Sequence, residues 1–179
     1  MSIHASSAAA TERNTALRAV GKTISDAVAT DPANAAATFR ATGTAQDPIA
    51  TELQVRGHTF RQDEPTILGG VDTGPNPVEY ALAALASCQL ATYRFWAAKL
   101  DIPVGDLQAV VEGDLDVRGV FGLDEEVRPG YREVRVTVTV DGPATPERYR
   151  ELADAVNQHC PTLDLFSNPT PVRTNLVIA

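Results

Sequence analysis

The sequence predicts an α+β protein, and three observations carry that prediction. Residues 11–30, TERNTALRAVGKTISDAVAT, place Leu17, Val20, Ile24 and Val28 three or four positions apart, the stripe of an amphipathic helix. Residues 76–100, NPVEYALAALASCQLATYRFWAAKL, read as a second helix that is apolar on nearly every side. From residue 107 the period changes to two: LQAVVEGDLDVRG and YREVRVTVTVDG alternate apolar with polar side chains, as half-buried strands of an antiparallel sheet do. With 179 residues and 44% hydrophobic content, the chain has material for one sizeable core. The division expected is an N-terminal helical extension over residues 1–35 and one domain over 36–179.

The remaining elements follow in order. DPANAAA ends the first helix, since Pro32 continues a helix poorly. Two strands are expected in ATFRATGTA (37–45) and ATELQVRGHTF (50–60), separated by the turn-forming QDP. The glycines and prolines of RQDEPTILGGVDTGPNP leave little room for regular structure, so residues 61–77 are expected to form a structured loop. VFGLDEEVRPG is expected to be a loop or hairpin tip between the two alternating strands. TPERYRELADAVNQHC begins as a helix should, with Thr145 as N-cap, Pro146 at the first helical position and Glu147 in the first turn. That helix is expected to stop at His159, Cys160 and Pro161, and PVRTNLVIA (171–179) to close the chain as a short strand.

Charge and composition remove several function classes. Fifteen basic against 23 acidic residues give a formal charge of -8, without the basic footprint that nucleic acid or an anionic membrane surface requires. The most apolar run, residues 80–93, is shorter than the roughly 20 residues that cross a bilayer, and Arg94 and Lys99 follow it. Two cysteines are too few for a secreted disulfide framework, and the first residues lack a signal-peptide pattern, so a cytoplasmic address is expected. LGGVDTGPNP has neither the lysine nor the spacing of a phosphate-binding loop.

The chemistry rests on Cys88 and Cys160. A buried cysteine by itself is more often an inert small hydrophobe than a nucleophile. Cys160, however, sits at a helix end beside His159, where a thiol can be approached, and two thiols on core helices can run from thiolate through sulfenic acid to disulfide. Cys88, Cys160, His159 and His58 were the conceivable zinc ligands, but no CxxC or HxxxH spacing is present, so neither metal nor cofactor is expected. A non-catalytic alternative stays open, in which a pocket lined by Leu85, Phe95 and Trp96 binds an apolar small molecule.

The run LGGVDTGPNPVEYALAALASCQ, followed by EGDLDVRG, REVRVTVTV and a helix ending in HCP, resembles the OsmC/Ohr superfamily of thiol peroxidases and their relatives, over roughly residues 38–179. The resemblance implies a strongly curved antiparallel sheet wrapped around two central helices in an interlocked homodimer. A helix apolar all round needs more cover than one small sheet provides, which independently favours a second subunit. The resemblance further implies that Cys88 is the peroxidatic and Cys160 the resolving cysteine of an organic hydroperoxide reductase, recycled by a thiol or dithiol reductant. Burial of Cys88 in an apolar setting favours alkyl over small polar hydroperoxides.

In the peroxidase branches an arginine, oriented by a glutamate directly after NP, activates the cysteine. Here that position is Val78 and the acid is Glu79, the start GPNPxE of another branch. Nine residues before Cys88, Glu79 falls roughly on the opposite side of the helix, and a helix-capping role competes with a catalytic one. Arg40 and Arg56 are the candidate cations in neighbouring strands, with Arg56 in QVRGH preferred.

Overall fold

A computed structural model describes residues 7–178. Five helices and five strands run in the order α1 (Ser7–Thr30), β1 (Ala41–Ala45), β2 (Thr51–Val55), β3 (His58–Gln62), α2 (Pro77–Lys99), β4 (Leu107–Asp114), α3 (Val117–Val120), β5 (Glu133–Val140), α4 (Pro146–His159) and α5 (Pro161–Ser167). The first three strands form one antiparallel sheet in the order β1-β2-β3, and β4 pairs with β5 in a second. The expected α+β class holds. No helix among the described residues is long and apolar enough to cross a membrane.

Helix α2 is the centre of the molecule. It packs against α1, β4, α4 and α5. Leu85, Gln89, Tyr93 and Ala97 repeat every four residues along its buried face, the spacing that keeps side chains in line on a helix. Tyr93 and Ala97 meet Ile102, Val104, Leu152, Val156 and Cys160 in the core. The helix begins with a reciprocal cap: the Glu79 N–H donates to Asn76 Oδ1 at 2.9 Å, and the Asn76 N–H donates to Glu79 Oε2 at 2.8 Å. At its other end Arg18 donates to the Ala98 carbonyl at 3.2 Å and Arg148 to the Leu100 carbonyl at 2.8 Å. Guanidinium groups from α1 and α4 thus meet the negative end of the helix dipole.

The loop before α2 is organised by one carboxylate. Asp63 is fully buried and accepts from the Glu64 N–H at 2.8 Å, the Thr73 N–H at 3.0 Å, the Val71 N–H at 3.4 Å and the Thr73 hydroxyl at 2.6 Å. The chain folds so tightly here that a Cβ at position 70 would stand 1.9 Å from the Glu64 carbonyl oxygen, so only glycine fits. The Thr73 hydroxyl, chiefly, holds the Asp63 carboxyl down from 3.8 to about 2. A lowered carboxyl stabilises the fold above its unfolded value and loses that contribution as pH falls toward the folded value. Wild type should therefore lose melting temperature between about pH 4 and pH 2 more steeply than Asp63→Asn, which should already melt lower at pH 7. Parallel curves for the two proteins would remove Asp63 from this role.

Several elements differ from the sequence expectation. Residues 50–60 are not one strand: the chain reverses at Arg56 and Gly57, where Arg56 takes φ 54, and β2 pairs with β3 across that turn. The expected strand over 107–119 ends at Asp114, because Asp116 accepts from the Arg118 N–H and its side chain starts the short helix α3. Proline at 161 does not end helical structure; it occupies the first turn of α5, so α4 and α5 join at the extended residue Cys160. The terminal strand is absent: residues 169–178 have no regular structure, and Leu176 and Ile178 are 84% and 88% exposed.

Candidate active site

A single break in helical structure brings the thiols together. Cys88 stands in the middle of α2, and Cys160 occupies the hinge between α4 and α5, which is both the cap ending one helix and the cap beginning the next. Leu152 and Val156 on α4 pack into the core beside Tyr93 and Ala97 on α2, which fixes the hinge against the helix. The result is a Cys160 Sγ to Cys88 Sγ separation of 3.4 Å between residues 72 apart in sequence, with both cysteines free. Cys160 is 2% exposed, whereas Cys88 is half-buried and more open to approach.

The two thiols are electrostatically unequal. Burial pushes Cys88 up, but hydrogen bonding to the Thr162 hydroxyl and N–H, the Cys160 thiol and the Thr92 hydroxyl more than offsets it, so its pKa is lowered. Burial pushes Cys160 up, and the neighbouring Cys88 raises it further despite a bond from the Leu163 N–H. The buried Cys160 thiol donates to Cys88 Sγ. None of the groups acting most strongly on Cys88 is cationic. Thr162, the second residue of α5, is the residue that sequence reasoning missed. Its signal was the CPT tripeptide, in which proline opens a new helix and turns the next amide and hydroxyl toward the thiol.

The other predicted residues lie elsewhere within the chain. Glu79 is engaged in the α2 capping box, and nine helical residues place it about 13.5 Å along the axis from Cys88. That axial rise separates the two more decisively than their angular offset does. Arg56 occupies the exposed β2–β3 turn and lines a groove with Phe39, Arg40 and Gln54; no hydrogen bond or ion pair joins it or Arg40 to either thiol. His159 turns away from the sulfurs: its Nδ1 lies 2.8 Å from the Ala155 carbonyl and its ring packs on Trp96 at 4.2 Å between centroids. His58 is exposed in β3. Near the thiol pair, a cleft of about 380 Å³ has Leu85, Val136, Leu163 and Phe166 on its walls together with Arg128, Arg132 and Glu133. Leu85 lies one helical turn from Cys88, and Leu163 adjoins Thr162.

A family model described as OsmC-like protein matches residues 70–175, which contain both cysteines and Thr162. No curated protein matches the chain. Among solved structures, an OsmC-like protein from Mycoplasma pneumoniae superimposes with a TM-score of 0.63 at 21% identity, covering 73% of this chain and 87% of that one. An organic hydroperoxide resistance protein from Elizabethkingia anophelis gives 0.59 at 20% identity, covering 74% and 89%. Another, from Legionella pneumophila, gives 0.57 at 18%, covering 73% and 90%. At these identities the superpositions establish the fold, and α1 lies before the matched segment.

Proposed function

This chain belongs to the OsmC-like protein family, and from that premise we propose that it is a thiol-dependent peroxidase reducing organic hydroperoxides through Cys88 and Cys160. The observation that carries the reading is the thiol pair itself: 3.4 Å apart, with the buried Cys160 donating to the more accessible Cys88, whose pKa is lowered. The Cys88 thiolate attacks the terminal oxygen of the hydroperoxide. The O–O bond breaks, the alkoxide leaves and takes up a proton as the alcohol, and Cys88 becomes a sulfenic acid. The Cys160 sulfur then attacks Cys88 Sγ, water departs, and a disulfide forms. Two electrons have moved from the thiols to the peroxide, and an external thiol or dithiol returns them by exchange.

The cleft near the pair supports organic rather than hydrogen peroxide as substrate, because Leu85, Val136, Leu163 and Phe166 offer an alkyl body apolar surface within an otherwise charged lining, and a small polar oxidant gains nothing from them. A homodimer belongs to this reading. Ala84, Ser87 and Ala91 leave one face of α2 exposed, and the terminal residues 169–178 hold apolar side chains in solvent, two surfaces that a second copy would cover. In this reading Arg56 of one copy favours the thiolate of the other across that interface, and Glu79 keeps its place in the α2 cap.

One equivalent of cumene hydroperoxide added to reduced protein should give an intrachain Cys88–Cys160 disulfide on peptide mapping. In Cys160→Ser the same treatment should leave Cys88 as a sulfenic acid that dimedone traps. Two free thiols after treatment, or interchain links alone, would rule out the mechanism.

A further inference from the structure

Helix α1 packs on α2, and the seam between them holds a cluster that the thiol chemistry leaves unused. The sequence has only two lysines, Lys22 and Lys99, among its 15 basic residues. Both line one groove of about 390 Å³, together with Arg18, Leu17, Ser25 and Phe95. In a chain of net charge -8, three cations around an apolar floor set this groove apart from the acidic average of the molecule. We propose that the groove binds a small amphipathic anion, a carboxylate or phosphate monoester carrying a short apolar body.

The floor exists because α1 has glycine where it crosses Phe95: a Cβ at position 21 would stand 3.3 Å from Phe95 Cζ. Leu17 and the bare Phe95 ring offer apolar surface for a ligand body. The cations are only partly satisfied. Arg18 holds the Ala98 carbonyl at 3.2 Å and Asp101 at 3.3 Å, and Lys22 pairs with Asp26 at 2.7 Å. Lys99 has no carboxylate partner among the described residues, and its ammonium lies 4.0 Å from the Trp96 ring centroid. Both ion pairs are solvent-exposed, with the Lys22 side chain 76% accessible, so an incoming anion competes against weak partners. Lysine ammoniums are point charges with freely turning donors, and they accept tetrahedral and planar anions alike. The volume matches the lower range of small-molecule pockets, roughly 300 to 1,000 Å³.

Trp96 makes the site observable, since it is the sole tryptophan and Lys99 covers its face. Full-length reduced protein is titrated by calorimetry with octyl phosphate, octanoate, octanol and inorganic phosphate, and Trp96 emission is followed in parallel. Octyl phosphate should saturate one site per chain and shift the emission, octanoate should bind at the same site, and octanol and inorganic phosphate should bind far more weakly. The ranking of octyl phosphate against octanoate identifies which head group the site prefers. Lys22→Gln and Lys99→Gln should each weaken octyl phosphate about fivefold, the effect of removing one exposed charge contact. Ser25→Asp, at the exposed rim, should abolish binding while leaving the melting temperature unchanged. Octanol binding as tightly as octyl phosphate, inorganic phosphate binding as tightly, or affinity unchanged in both lysine variants would overturn the proposal. Because every readout is binding rather than turnover, the result stands apart from whether the thiols reduce peroxides.

Discussion

Leu85→Asp should not yield a folded protein. Leu85 is 0% exposed and packs with Val134, Val136 and Leu163 at the wall of a cleft that also carries Arg128 and Arg132, so a carboxylate there loses both its hydration and the leucine's packing. Losing the leucine side chain costs about 2–5 kcal/mol. The desolvation of a charge adds to that loss, against a total stability of about 5–15 kcal/mol for a domain. The structure buries the side chain inside the chain itself, so the expected result is loss of folding rather than dissociation of a dimer. The interface test moves one residue back. Ala84 is exposed, about 100° around the helix from Leu85, and Ala84→Asp should give a folded chain with native circular dichroism. If two copies meet on that face, light scattering should report half the wild-type mass for this variant. A soluble, native Leu85→Asp protein would show that the packing around α2 has been misassigned.

Cys88→Ser should lose hydroperoxide reduction by on the order of 10³-fold or more, since a serine hydroxyl at this position is neither ionised nor able to carry a sulfenic acid. The informative companion is Thr162→Val, which keeps the sulfur and removes the hydroxyl that does most to lower its pKa. In that variant the Cys88 pKa should rise, and alkylation by iodoacetamide near neutral pH should slow several-fold while the rate at high pH, where the thiol is fully ionised, stays at the wild-type value. The sign follows from the state the hydroxyl stabilises: it donates to the thiolate, so its loss favours the protonated form. Arg56→Ala tests the cross-subunit contribution in the same assay. Slower alkylation in Arg56→Ala at wild-type mass would place the guanidinium near a thiol across the interface. Unchanged alkylation in Thr162→Val would mean that the pair is activated by something other than the α5 start.

Much of the fold was legible because its signals are local. The apolar spacing of Leu17, Val20, Ile24 and Val28, the alternation in EVRVTVTV, and the Thr145-Pro146-Glu147 helix start each depend on neighbours within a few residues, and each element formed where it was expected. Where local signals conflict, the reading lost resolution. ATELQVRGHTF carries strand-forming residues on both sides of the reversal at Arg56 and Gly57, and the one-residue shift of alternation that pairs Leu53 with Phe60 and Val55 with His58 is too small a signal in so short a run to show that the chain turns there. Pro161 reads equally as a helix stop and a helix start, and only the packing of Leu163 against the core decides for the start.

The sequence by itself determined which atoms are available for chemistry: two thiols in an acidic, metal-motif-free chain, one of them central in an apolar helix. Tertiary structure alone decided what those atoms can do. A sulfur–sulfur separation of 3.4 Å between positions 88 and 160 depends on α4 docking against α2, and the lowered Cys88 pKa depends on a hydroxyl and an amide that α5 turns toward it. The same docking left Glu79 in its own helix cap and Arg56 in a remote turn. The physical reason is one of range: periodicity is set by the rise and turn of a single element, whereas a thiol's acidity is set by whichever dipoles lie within hydrogen-bond reach, and those come from residues that are distant in sequence.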